Sequence, residues 1–158
     1  MPRERSSRRE FLTTAAAIGA PLLVSPRVAR GSDASSRLTL GFIGTGGRGA
    51  WIADLFQRHG GYEIRAAADY FQDRVDEFGG KFHVAAERRY TGLSGYRRIL
   101  ESEVDAVVIE SPPFFHPRQA ADAVEAGKHV YLAKPAAVDV PGCRTVEDSG
   151  RKATLKQR

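Results

Sequence analysis

Three glycines, Gly44-x-Gly46-x-x-Gly49, directly follow the apolar run Leu38, Leu40, Phe42 and Ile43. Glycine at these spacings suits the holding of a diphosphate. Gly44 permits a tight turn, Gly46 lets backbone approach a pyrophosphate, and Gly49 lets the next helix pack closely on the strand. Bare N–H groups at the start of that helix then face the anion. The candidate contacts in the turn are Gly44, Thr45, Gly46, Gly47, Arg48 and Gly49. Asp69 closes a second apolar run, Tyr62 to Ala68. An acid at that place accepts hydrogen bonds from the adenosine ribose hydroxyls and repels a 2′-phosphate, which favours NAD. An aspartate there can equally be a helix cap or turn residue. Arg74, close by in the sequence, offsets the repulsion and leaves NADP possible.

The elements that must position these residues follow from apolar periodicity. Trp51, Ile52, Leu55 and Phe56 predict one buried helical face between Arg48 and His59, stopped by Gly60-Gly61. Gln72 to Phe78 and Leu93 to Leu100 predict helices, and Arg88 to Tyr90 a short strand. Val104 to Ile109 is a nearly continuous apolar run, as expected of a strand buried on both faces near the middle of a parallel sheet. The prolines of Ser111-Pro112-Pro113-Phe114-Phe115-His116 turn the chain at the carboxyl end of that strand, the edge where open parallel sheets bind ligands. Pro117 to Ala126 predicts a helix stopped by Gly127. His129 to Ala133 predicts a strand that brings Lys134-Pro135 to the same edge, and a last helix starts near Asp139. This alternation implies an α/β fold, a doubly wound and mostly parallel sheet of five or six strands. The expected domain is 38–152, with 153–158 as a tail.

At 158 residues the chain has room for about one domain. Its net charge of +5 is concentrated at the start: residues 1–31 hold six Arg and two Glu, leaving 18 basic and 17 acidic residues beyond. The body therefore has no basic stripe, which argues against a nucleic-acid partner. One cysteine, Cys143, excludes an internal disulfide and a multi-cysteine metal site; it is expected to be buried, and no metal site is predicted. Ser7-Arg8-Arg9-Glu10-Phe11-Leu12 precedes an uncharged stretch from Thr13 to Val24, the layout of a twin-arginine export signal. The stretch is too short for a spanning helix, which needs about 20 apolar residues. Residues 1–31 are therefore expected to engage the twin-arginine machinery and direct the protein to the periplasm or outside, with 32–37 as linker.

Taken in order, the glycine turn, Asp69, Asp105-Ala-Val-Val-Ile-x-Ser111-Pro112-x-x-x-His116, Gly127-Lys-His-Val130 and Lys134-Pro135 resemble the Gfo/Idh/MocA family. The resemblance implies hydride transfer between NAD(P) and sugars, cyclitols or related hydroxy compounds. A related branch of glycosidases uses NAD transiently. It also implies that Ser111, Pro112 and His116 lie along the cofactor, and that Lys134 sits by the nicotinamide and the substrate hydroxyl. His116 has a second reading, as a cap for the helix that follows. Lys134 has a physical case of its own: beside a positively charged nicotinamide its ammonium form is disfavoured, which suits an acid/base partner. Three departures stand out: Ala133 where the family has Glu, Pro113 where Asn is common, and Glu110 as an extra acid beside the cofactor loop. The family's second domain supplies most of the substrate pocket and the oligomer interface. With no His after Cys143, this chain is expected to be a nucleotide-binding fragment that neither turns over substrate nor self-associates.

Overall fold

The computed structural model describes residues 37–156. The expected export signal, 1–31, and the linker up to residue 36 lie outside the described residues. The elements are β1 (Leu38–Ile43), α1 (Gly47–His59), β2 (Tyr62–Asp69), α2 (Gln72–Lys81), a 3-10 turn (Ala86–Arg88), β3 (Arg89–Thr91), α3 (Gly95–Leu100), β4 (Ala106–Ile109), α4 (His116–Glu125), β5 (His129–Leu132) and α5 (Val140–Lys156). All five strands run parallel, in the order β3-β2-β1-β4-β5. The chain thus winds outward from β1 in one direction and then in the other, which puts the topological switch point between β1 and β4.

Strand periodicity divides the core in two. Leu40, Phe42, Ala67 and Val108 point to one face, where α1 and α2 supply Ile52, Ala53, Val75 and Phe78. Ile43, Ala66, Ala68, Val107 and Ile109 point to the other, where α3 and α4 supply Tyr96, Ile99, Ala120 and Ala123. Val107, Val108 and Ile109 are all buried, so the continuous run belongs to a strand covered on both sides. At the opposite end of the sheet, Asp105 ties β4 to β1. Its Oδ2 accepts hydrogen bonds from Thr39 N (2.8 Å) and Thr39 Oγ1 (2.7 Å).

Two expectations about burial fail. Trp51 (53% exposed) and Leu55 (40%) do not join the buried face of α1; the inward stripe is Gly49, Ile52 and Ala53, with Phe56 half-buried. Gly49 sets the closest approach of α1 to the strand turn, and that rotates Trp51 outward, where the Arg48 guanidinium lies 5.7 Å from its ring. Cys143 is exposed, because α5 turns Gly142 and Ser149 inward instead. Asp139 starts that helix by accepting the Gly142 N–H (2.7 Å), and the helix runs on to Lys156.

Candidate nucleotide-binding site

The carboxyl ends of β1, β2 and β4 open on one cleft of about 690 Å³. Eight of the predicted residues line it: Gly44, Gly46, Gly47, Arg48, Gly49, Asp69, Ser111 and Pro112. Thr45, His116 and Lys134 do not.

The four glycines differ in what requires them. Gly44 has φ +92°, a conformation that L side chains avoid, and a methyl group there would run into the backbone of Glu110 and Ser111. At Gly49 a methyl group would meet the carbonyl oxygen of Gly44. Both glycines are needed for the chain to pack on itself. Gly46 is different: it sits at φ −64°, ψ −172°, and an added Cβ would find only Arg74 Nη1, 3.5 Å away. Gly47, the first residue of α1, has nothing within 4 Å of such a position. Neither backbone strain nor packing among the described residues calls for glycine at these two places. A ligand that must approach the backbone does, and it would meet the N-terminal N–H groups of α1.

Asp69 holds the turn in shape. Its Oδ2 accepts Thr45 N (2.8 Å) and Thr45 Oγ1 (3.2 Å), and its Oδ1 accepts Phe71 N (3.2 Å). The turn-aspartate role is therefore present, and the half-exposed carboxylate on the cleft wall keeps lone pairs for ribose hydroxyls. Thr45, predicted as a cofactor contact, is buried behind the turn because its polar groups face Asp69. Arg74 also lines the cleft, with its guanidinium 4.9 Å from the Phe71 ring.

On the β4 side, Ser111 Oγ donates to Gln119 Oε1 (2.6 Å). Gln119 is buried and lines the cleft, and the sequence reading passed over it. Its signal was a polar residue within the inward stripe of α4, which runs His116, Gln119, Ala120, Ala123, Val124. His116 neither lines the cleft nor caps α4. Its ring is 1% exposed and spans two main-chain oxygens, with Nδ1 2.9 Å from Pro135 O and Nε2 2.7 Å from Ser111 O. A neutral ring donates to one of these; a doubly protonated ring donates to both. His116 thus staples the Ser111 loop to the loop after β5. Lys134, on that second loop, is exposed and lies outside the cleft, since β5 ends at Leu132 and Ala133 N is already bonded to Ile109 O.

Glu110 lies where β4 ends. Its side chain is only 1% exposed, and its Oε2 is 3.2 Å from Arg48 Nε on α1. Burial pushes the carboxyl above its ordinary pKa, against the opposing pull of Arg48 and His116. Its second oxygen, Oε1, is buried with no hydrogen-bond partner among the described residues.

A doubly wound parallel sheet, a bare glycine turn at its switch point and an acid at the end of β2 define a dinucleotide-binding domain. Residues 38–156 match the oxidoreductase family with an NAD-binding Rossmann fold, Gfo/Idh/MocA, and the chain belongs to that family. The family's domain is an NAD-binding one, and its cleft here lies at the switch point where such a fold holds a dinucleotide. Among curated relatives, a glycosyl hydrolase family 109 protein of Solibacter usitatus is 31% identical over 92% of this chain and 35% of its own length. An alpha-N-acetylgalactosaminidase of Shewanella oneidensis is 30% identical over 92% of this chain and 37% of its own. Among solved structures, an NAD binding oxidoreductase from Klebsiella pneumoniae superposes with a TM-score of 0.64 at 29% identity, covering 75% of this chain and 32% of that one. The chain spans about a third of the length of each of these three proteins.

Proposed function

We propose that this chain is the cofactor-holding part of an exported protein that transfers hydride between NAD and a sugar-like hydroxy substrate. The observation that carries the reading is the bare Gly46-Gly47 surface, which nothing among the described residues requires and which lines the cleft. Bound there, the cofactor would supply a hydride acceptor at its nicotinamide. The glycine turn and the start of α1 would hold its diphosphate, Asp69 its adenosine ribose, and Ser111-Pro112 the wall beside it. Lys134 would serve as proton partner of the substrate hydroxyl from the loop after β5, on the substrate side rather than within the cofactor cleft.

Calorimetric titration with NADH tests the reading. The chain binds NADH, and Gly46→Val abolishes the binding by placing a side chain where the diphosphate approaches, without lowering the unfolding midpoint. Absence of heat and of thermal protection for the unaltered chain at millimolar NADH would defeat it. By itself the chain is expected to turn over no sugar, because Lys134, its proton partner, is exposed and no pocket among the described residues encloses a substrate beside it; steady reduction of NAD by a cyclitol or sugar would overturn that part.

A second reading concerns what the hydride does. Both curated relatives carry glycosidase names, which favours a hydride that is taken from a sugar and returned to it, with NAD regenerated in each cycle. In the longer protein, cleavage of an N-acetylgalactosaminide without accumulation of NADH supports this use; net NADH formation supports an ordinary dehydrogenase. Export is tested separately, by replacing Arg8 and Arg9 with Lys, which lacks the planar guanidinium fork. Loss of periplasmic delivery supports the leader, and unchanged delivery rules it out.

A further inference from the structure

The charged side chains that line the cleft are Arg48, Arg74, Asp69 and Glu110. Their charges cancel, yet a diphosphate brings a negative charge on each phosphate. Arg48 is already matched, with its Nε 3.2 Å from Glu110 Oε2. Asp69 is turned toward Thr45 and Phe71. Arg74 is the cleft cation that has no acid within ion-pair distance among the described residues.

Its position says what it is free for. Arg74 lies in the first turn of α2, and its guanidinium reaches the glycine turn: Nη1 is 3.5 Å from the point where a Cβ on Gly46 would stand. That point marks the bare surface a diphosphate must approach. The Phe71 ring backs the same guanidinium at 4.9 Å, and the side chain is exposed, so a ligand in the cleft reaches it without disturbing the core. The N–H groups of the turn and of the start of α1 are neutral donors. A guanidinium adds full charge and a planar fork that can give two N–H bonds to phosphate oxygens. A 2′-phosphate would instead lie with the adenosine ribose, at Asp69.

We propose that Arg74 is a diphosphate-binding residue, which closes over the anion from α2 and faces the N–H groups at the start of α1. The proposal rests on the NAD-binding reading above. It gives the cleft a charged clamp whose two jaws are Gly46 and Arg74, carried by different helices.

Adenosine, ADP, NADH and NADPH separate this role from the others open to an exposed arginine. Arg74→Ala is expected to lower ADP and NADH affinity about tenfold, the worth of hydrogen bonds to a charged group, and to leave adenosine affinity and the unfolding midpoint unchanged. Arg74→Lys, which keeps the charge without the fork, is expected to recover part of the loss. A second measurement needs ADP alone: its affinity for the unaltered chain should fall as salt is raised, while that of Arg74→Ala falls less, so that the two converge toward about 1 M salt. Equal weakening of adenosine and ADP would overturn the proposal by placing Arg74 at the adenine. A loss confined to NADPH would overturn it in favour of a 2′-phosphate contact, and unchanged ADP affinity or parallel salt curves would overturn it outright. Failure of the unaltered chain to bind either ADP or NADH would instead remove the NAD-binding reading on which it rests.

Discussion

The two sides of the cleft are built differently. On the β2 side Asp69 is bonded to Thr45 N, Thr45 Oγ1 and Phe71 N, so the glycine turn is held by contacts within the chain. On the β4–β5 side the main chain is fastened by His116 between Ser111 O and Pro135 O, but the lysine suited to chemistry is left open. Lys134 is exposed, and β5, at the edge of the sheet, alternates exposed and half-exposed residues. The nucleotide-gripping side is complete in itself. The side where hydride would move is positioned but not enclosed.

The strongest way to break this contrast is at Gly49. Gly49→Ala drives a methyl group into Gly44 O and should destabilise the fold by about 3 kcal/mol in urea denaturation. Because that contact carries the turn itself, a mild effect would mean that the gripping side is less rigid than described. On the other side, His116→Ala should cost about 2 kcal/mol, since it removes a buried ring and its contacts with the Ser111 and Pro135 carbonyl oxygens. The same variant should speed proteolysis at the Ser111 and Lys134 loops, while a loss confined to one loop would show that only one of the two bonds matters. Asp69→Ala is expected to weaken NAD binding by about 1 to 3 kcal/mol and to narrow discrimination against NADP, both read by titration.

Smaller effects separate the acids by pH. Burial opposes the charge of Asp105, but Thr39, Arg65 and Lys128 outweigh it and hold the carboxyl below its ordinary value. Its contribution to stability is therefore full above the usual aspartate range and is lost as pH falls through the depressed value. Asp105→Asn should be less stable than the parent at neutral pH and converge with it as pH falls below the ordinary aspartate range. Glu110 is shifted the other way, chiefly by burial, so its contribution is present in acid and fades as pH rises through the raised value. Glu110→Gln should then gain on the parent as pH rises from acid to neutral; a parallel pair of curves would deny the shift. Least affected should be Lys134→Ala, within about 0.5 kcal/mol of the parent in stability, as befits an exposed side chain.

Much of this was legible in the sequence, and the exceptions have physical causes. Val104 to Ile109 announced a strand covered on both faces because burial of that kind leaves no polar alternation; the strand itself begins at Ala106. The glycine turn was readable because glycine itself encodes the backbone freedom the site needs. The buried stripe of α1 was not, because Trp51, Ile52, Leu55 and Phe56 span two neighbouring faces, and apolarity alone cannot choose between them. Gly49 chooses, by fixing how close the helix comes. His116 could not be placed from its neighbours either: both of its partners are main-chain oxygens, and a carbonyl leaves no mark on the identity of the residue that bears it. Gln119 was missed because a polar residue in an inward stripe looks like an interruption until Ser111 is seen beside it.

The Asp69–Thr45 contact also bears on how such a protein could change its taste for cofactors. Admitting a 2′-phosphate asks for the acid to go, and Arg74 already stands on the same wall to receive the new charge. Yet removing Asp69 also takes away the acceptor for the backbone and hydroxyl of Thr45, so the first mutational step toward NADP would deform the loop that every dinucleotide uses. Preference and loop geometry are thus inherited together. A lineage switching between the two coenzymes would have to alter position 45 first, or alter both positions in concert.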